Sequence, residues 1–247
     1  MLQQTSVSRV RDAWQRFMER YPTPGECARA PQSAIIREWQ GLGYPRRAVA
    51  LHQTARIVTA QGGEVPRSLV DLMQLPGVGN YTARAIASFA YGERVGVLDT
   101  NVGRVLARAV MNQPLRPAAA QELADSFVTR GSSARWNQAM LDVGAQWCRS
   151  RPQCATCPVR TACRWHIEGG EDPAVASAGV SRPQTRFEGS ARQQRGRVLR
   201  RISEGGVTSA QLARITGVDS TRLEATLSGL MRDGLIVRRG SRFVLAD

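Results

Sequence analysis

The chain has 247 residues, with 34 basic against 20 acidic side chains and a formal net charge of +14. Hydrophobic residues make up 42%, which excludes a disordered tail and leaves enough chain for a proper core. No apolar run approaches the roughly 18 residues of a membrane span, nothing at the start reads as a signal peptide, and the basic excess points to a polyanion, most simply nucleic acid.

From Thr5 to about His166 apolar residues recur at spacings of three and four. One set is Val10, Trp14, Phe17 and Met18; a second is Ile35, Ile36, Trp39 and Leu42; a third is Ala48, Leu51, Ala55, Ile57 and Val58. Turn signals separate them at Tyr21-Pro22-Thr23-Pro24-Gly25, Gln61-Gly62-Gly63 and Leu75-Pro76-Gly77. Further helices are predicted from Thr100 to Met111, after Pro117, and from Ser133 to Trp147. No strand alternation of useful length occurs, so residues 1–166 read as all-α.

Residues 167–190, beginning Ile167-Glu168-Gly169-Gly170-Glu171-Asp172-Pro173, read as a linker. Residues 191–247 then read as a winged helix-turn-helix. Helices are predicted over Gln194–Ser203, Thr208–Thr216 (with Thr208 and Ser209 as caps) and Ser220–Asp233, and Leu235–Leu245 reads as strand, turn, strand. Eleven arginines between positions 192 and 242 suit a phosphate-facing surface, and a protein-binding or merely packing role is equally open.

Cys148, Cys154, Cys157 and Cys163 follow a C-x5-C-x2-C-x5-C spacing. Four thiols this close in a helical chain fit one metal centre better than a disulfide framework. Zinc and a [4Fe–4S] cluster both accept four cysteines, and a single C-x2-C knuckle favours the cluster. Cys27 reads as a small buried hydrophobe.

Leu75-Pro76-Gly77-Val78-Gly79-Asn80-Tyr81-Thr82-Ala83 lies between two helical stretches. Gly77 and Gly79 allow a tight turn whose exposed N–H groups, with the next helix N-terminus, bind a phosphate without any side chain. LPGVG between helices is a helix-hairpin-helix signature. Asp99, in Val97-Leu98-Asp99-Thr100-Asn101, sits just before a helix. It is an N-cap, a carboxylate held near a developing positive charge, or both.

These pieces, in this order, resemble the helix-hairpin-helix DNA glycosylases with a terminal iron–sulfur loop. Within the endonuclease III superfamily the chain is similar to the MutY-type adenine DNA glycosylases. The matching residues are Met1-Leu2-Gln3-Gln4-Thr5, Gly41-Leu42-Gly43-Tyr44, Leu75 to Ala83, Val97 to Val105, Asn137-Gln138-Ala139-Met140 with Asp142, Gly144 and Ala145, and the four cysteines. The resemblance covers residues 1–166. It implies a mostly α glycosylase core with a [4Fe–4S] loop, followed by the winged helix. It also implies excision of adenine mispaired with 8-oxoguanine or guanine in double-stranded DNA, by a monomer in the cytoplasm at the nucleoid. Gln3 and Gln4 match residues that probe the duplex beside the lesion, and Tyr44 matches an aromatic wedge. Asp99 matches the carboxylate that stabilises an oxocarbenium-like sugar, with Asn101 as its neighbour.

Every basic residue is Arg, and the chain contains no Lys. In the endonuclease III relatives a Lys after the hairpin turn is the lyase nucleophile; the matching position here is Tyr81. Arg stays protonated and cannot form a Schiff base, so base removal without strand cleavage is expected. The family's general acid, a Glu, lies just upstream of the stretch matching Met1 to Thr5, and the expectation is that the coding sequence begins further upstream. The alternatives are a non-catalytic mismatch-binding protein on a shortened scaffold, or a thymine or uracil glycosylase of the same superfamily. The 191–247 segment is too short for a Nudix-like 8-oxoguanine reader, and Pro45 follows Tyr44 where a second Tyr is common.

Overall fold

A computed structural model describes residues 1–3, 5–129, 131–177 and 186–247. Gln4 therefore lies outside the described residues. The chain divides into two compact units, one formed by residues 1–65, 75–77 and 184–247 and the other by residues 66–74 and 78–183. Among the described residues no helix is long and apolar enough to cross a membrane.

The first unit holds α1 (Val7–Arg20), α2 (Pro24–Arg29), α3 (Gln32–Glu38) and α4 (Arg46–Ala60), joined by the winged-helix elements. Helix α1 buries Val10, Ala13 and Phe17, one stripe at helical spacing. Trp14 and Met18, which the sequence spacing grouped with them, are turned outward, and Trp14 is 55% exposed. Thr23 opens α2 with a full capping box to Glu26, and Pro24 occupies the first turn, where its missing N–H costs nothing. The winged helix comprises α11 (Ala191–Glu204), β1 (Val207–Thr208), α12 (Ser209–Thr216), α13 (Ser220–Arg232), β2 (Ile236–Arg239) and β3 (Arg242–Leu245). Its helices start on Ser190, Thr208 and Asp219, each side chain accepting a backbone N–H of the first turn. The antiparallel sheet has the order β1-β3-β2, with Val207 opposite Phe243, Ile236 opposite Leu245 and Arg239 opposite Arg242.

The winged helix shares one core with α1–α4. Phe17, Ile35, Ile36 and Trp39 belong to the same buried cluster as Leu199, Ile202, Leu230, Leu235 and Ile236. Polar links cross the same join: Gln32 Nε2 donates to Gly234 O at 2.8 Å and Arg37 Nε to Ser203 O at 3.3 Å. Each fully buried Leu or Ile contributes roughly 1.5–3 kcal/mol. An exposed pair such as Arg46 with Asp233 contributes about 0–1 kcal/mol. Apolar burial therefore dominates the join.

The second unit holds α5 (Leu69–Gln74), α6 (Asn80–Tyr91), α7 (Thr100–Val105), α8 (Pro117–Ser126), α9 (Ser133–Gln146) and α10 (Arg164–Glu168). Helix α7 continues into a π-helical turn, Leu106–Met111, which ends at Asn112 in the left-handed region. Val102, Leu106, Ala107, Leu115, Ala120 and Ala124 form its core. The start of the stretch read as a linker is packed. Ser177 Oγ accepts from Leu115 N at 3.1 Å and donates to Pro173 O at 2.6 Å, Ala174 is buried, and Asp172 is paired with Arg108. Residues 178–185 of that stretch lie outside the described residues.

Cys27 is buried in the first unit, and burial pushes its thiol up to about 11. An unfolded thiol titrates near ~8.5. The neutral thiol thus favours the fold below that pH, and this stabilisation is lost as pH rises toward the folded value. Urea midpoints measured across pH 8 to 10 should decline more steeply for the native chain than for Cys27→Ala. Equal slopes would remove Cys27 as the cause.

Candidate active site

Asp99 is the N-cap of α7. Its Oδ1 accepts from Asn101 N and Val102 N, both at 2.8 Å, and its Oδ2 accepts from Asn101 Nδ2 at 2.9 Å. The Asn101 amide is oriented by its other end, because Oδ1 accepts from Arg104 Nη2 at 2.7 Å. Arg104 is buried; its Nη2 also donates to Gly144 O at 2.9 Å and its Nε to Cys148 O at 2.7 Å. One connected chain of hydrogen bonds therefore runs from the backbone of the first cysteine to the Asp99 carboxylate. Burial pulls the Arg104 pKa below its ordinary value, while the Asp99 charge acts the other way.

Helix α9 lies close enough to α7 that only glycine fits at 144. A Cβ there would stand 2.6 Å from Asn101 Cβ and from Asn101 O. From the N-terminal side, buried Asn137 fixes the segment leading to Asp99. Its Nδ2 donates to Val95 O and Ser88 Oγ, each at 2.9 Å, and its Oδ1 accepts from Val97 N at 2.8 Å. Tyr81, in the first turn of α6, feels the same carboxylate: burial first, then the Asp99 charge, raises its phenol pKa above the ordinary value.

Gly79 caps α6 in an extended conformation and, as a glycine, supplies no side-chain cap. Gly77, in the first unit, is glycine for two reasons: its φ is +75°, and a Cβ would stand 2.7 Å from Ala50 Cβ. Thr54 Oγ1 donates to Pro76 O at 3.1 Å beside it.

In that same unit Arg47 ties the N-terminal stretch to the Gly41–Tyr44 turn. Its Nη1 donates to Met1 O at 3.1 Å and Gln3 O at 2.7 Å. Its Nη2 donates to Thr5 Oγ1, Leu42 O and Gly43 O at 3.0–3.1 Å. Tyr44 adopts φ +47°, a strained value for an aromatic residue, and presents a ring 41% exposed with the Arg47 guanidinium 5.6 Å from its centroid. The structure thus brings Gln3 and Tyr44 together through Arg47, and joins Asp99, Asn101 and the cysteine loop through Arg104.

Cys148, Cys154, Cys157 and Cys163 all carry free thiols and line one cavity, with Arg108 and Trp165 in its wall. Arg108 is fully buried. It grips Asp172 with Nε at 2.8 Å and Nη2 at 2.5 Å, donates to Arg149 O at 2.6 Å, and reaches Cys148 Sγ at 3.5 Å. Asp172, held by Arg108, has its carboxyl below the ordinary range. Among the described residues no three Cys, His, Asp or Glu side chains converge as ligands of a single ion.

Comparison with known proteins identifies the family. Residues 1–129 match the model of the HhH-GPD superfamily of base excision DNA repair proteins, and the chain belongs to that family. It is similar to the adenine DNA glycosylase of Mycolicibacterium smegmatis, 39% identical over all of this chain and 85% of the relative. It is also 39% identical to human adenine DNA glycosylase, over 73% of this chain and 35% of that protein. Among solved structures, a thermostable thymine-DNA glycosylase superposes with a TM-score of 0.61 at 29% identity, over 68% of this chain and 80% of that one. A trapped endonuclease III–DNA covalent intermediate superposes equally well, with a TM-score of 0.61, at 26% identity and the same coverage. The family excises bases from DNA, and this chain is a DNA glycosylase of its mostly helical fold.

Sequence reasoning did not find Arg104 or Arg47. Both sit three positions after a residue it did find: Arg104 one helical turn after Asn101, and Arg47 in the first turn of the helix that follows Tyr44. Arg104→Lys keeps the charge but cannot reach three acceptors at once. Excision should fall at least about tenfold while circular dichroism stays unchanged; an unaltered rate would show that the Asn101 amide holds its place without Arg104. Gly144→Ala should lower stability by about 1–3 kcal/mol, the usual cost of overpacking, read as a shifted urea midpoint.

Proposed function

We propose that the chain hydrolyses the N-glycosidic bond of adenine mispaired with 8-oxoguanine or guanine in duplex DNA, without a lyase step. The observation that carries this is the Asp99 carboxylate. Three N–H donors fix it, and a carboxylate has about four acceptor positions. Oδ2, which accepts only the Asn101 amide among these, retains capacity for a ligand.

The target nucleotide leaves the stack before its glycosidic bond breaks. As the C1′–N9 bond lengthens, positive charge grows on the sugar, and a prepositioned carboxylate stabilises it without reorganising. Water then adds at C1′, giving an abasic sugar and free adenine, and a proton passes to the base. No residue of this chain is assigned as the acid that delivers it. Tyr81 stands where an amine nucleophile would be needed for strand cleavage, and the chain has no Lys. Adenine is preferred over thymine as the target because the similarity to adenine glycosylases spans the whole chain at 39%, against 29% over 68% for the thymine enzyme.

Backbone N–H groups of the Gly77–Gly79 turn bind phosphate, Tyr44 is the stacking wedge, and Gln3 and Gln4 are the residues that probe the duplex. The four cysteines are proposed to hold a [4Fe–4S] cluster. They line one cavity, and their C-x5-C-x2-C-x5-C spacing, with a single C-x2-C knuckle, suits a four-cysteine cluster better than zinc. Bound there, the cluster cross-links the loop that follows α9 and carries no step of the hydrolysis. The protein acts as a monomer in the cytoplasm.

Asn is as good an N-cap as Asp, so Asp99→Asn removes the charge and spares the helix. Single-turnover excision should drop to background while affinity for the mismatched duplex is retained. Loss of both together would make Asp99 chiefly a structural cap. Purified protein should be yellow-brown, and Cys157→Ser should lose iron and colour; a colourless, zinc-containing wild type would contradict the cluster.

A further inference from the structure

We infer that the wing of the winged helix is a second contact for duplex DNA, with Arg238, Arg239 and Arg242 binding backbone phosphates independently of sequence. The inference rests on the reading of the Tyr44 turn as a DNA-facing surface.

The wing is apolar at its root and cationic at its tip. Ile236 and Leu245, paired at the root, are buried in the shared core; Arg238, Arg239 and Arg242 are exposed. Arg239 and Arg242 stand directly opposite each other across the antiparallel pair. Like charges in that position repel and destabilise the hairpin. Most local carboxylates are engaged by other arginines. Glu204 pairs with Arg200 and Arg201, Asp219 with Arg222, and Asp233 with Arg195 and Arg46. Asp247 lies within electrostatic reach of Arg239 but accepts from Ser33 N at 3.4 Å. Among the described residues the three wing arginines form no ion pair. Arg238 and Arg242 each spend one donor on a backbone carbonyl, Gly240 O and Gly206 O, which leaves most of each guanidinium fork for an anion.

The occupant follows from charge and position. Facing arginines with no carboxylate between them fit phosphate oxygens, and duplex DNA presents these as a continuous array. The wing root is also joined to the Tyr44 turn. Asp233, just before the wing, pairs with Arg46 at 3.4 Å, and Arg46 begins the helix that follows Tyr44 and Pro45. Gly234 lies against Val49 of the same helix. Within one compact unit, the root of the wing therefore packs on the helix that follows Tyr44. The tip arginines take no part in the contacts to α3 and α4, which involve Ser203, Asp233, Gly234 and Asp247.

The test is binding of the full chain to an undamaged, fully paired duplex, followed from about 50 to 200 mM salt. The triple variant Arg238→Ala/Arg239→Ala/Arg242→Ala should bind at least about tenfold more weakly at the lower salt. Its log–log salt slope should be shallower by about 2.7, roughly 0.9 for each phosphate no longer neutralised. The triple Gln variant should behave alike. Arg200→Ala/Arg201→Ala, which share Glu204 as their ion-pair partner, should change the slope by clearly less than the wing variants do. Melting of the wing variants should be unshifted or raised, since a repulsive pair is removed. Wild-type affinity and slope in both triple variants would overturn the proposal and leave the wing as a surface for a protein partner. A fall of equal size in the Arg200/Arg201 variant would also overturn it, as a bulk charge effect. No base is removed in this assay, so its failure leaves the glycosylase reading standing, and failed excision would leave the binding result intact.

Discussion

A guanidinium taken out of water must find acceptors for its N–H groups, or the fold bears the cost of desolvating them. Arg104 and Arg108 meet that constraint by gathering backbone carbonyls from segments distant in sequence, and Arg47 meets it through Nη1 and Nη2, while its buried Nε has no partner among the described residues. Arg47 joins Met1, Gln3 and Thr5 to the turn before α4. Arg104 joins α7 to the end of α9. Arg108 joins the π-helical turn to the cysteine loop and to Asp172. A lysine offers one compact ammonium and could replace none of them. The all-arginine composition thus has a structural use in addition to its charge.

The site inherits its order from these fasteners. Asp99 is an N-cap first, and that is what makes it useful: the cap bonds fix Oδ1, and Asn101, itself held by Arg104, fixes Oδ2. A carboxylate already oriented by the fold need not reorganise when positive charge develops beside it. The Tyr44 turn follows a related logic. A left-handed aromatic residue costs on the order of 1–3 kcal/mol, and it persists where Arg47 and two left-handed glycines impose the turn.

Much of this was legible in the sequence. The wing and helices α9, α12 and α13 lie within about one residue of the sequence reading, whereas α11 starts three residues earlier, β1 was not foreseen and α10 reaches into the stretch read as linker. The hairpin, Asp99 and the cysteine spacing marked the candidate site. Sites written as contiguous motifs can be read because their geometry is local. The winged helix looked like a separate domain because its own pattern is complete, yet it shares a core with α1–α4, and such sharing depends on surfaces that no local pattern encodes. Arg104 and Arg47 were invisible for the same reason. Their partners are backbone carbonyls of other segments, and a carbonyl leaves no trace in the residue type. Trp14 showed the limit of periodicity: spacing placed it on the buried stripe, but the stripe is narrower than the pattern.

The central claim is that a held carboxylate excises adenine. It is tested most directly by single-turnover excision on a duplex carrying adenine opposite 8-oxoguanine, comparing this chain with the same chain extended upstream in frame. An abasic product is expected from at least one of the two, with no product on a matched adenine–thymine duplex. Tight mismatch binding with no product from either protein would contradict the claim and leave a mismatch-binding protein in its place.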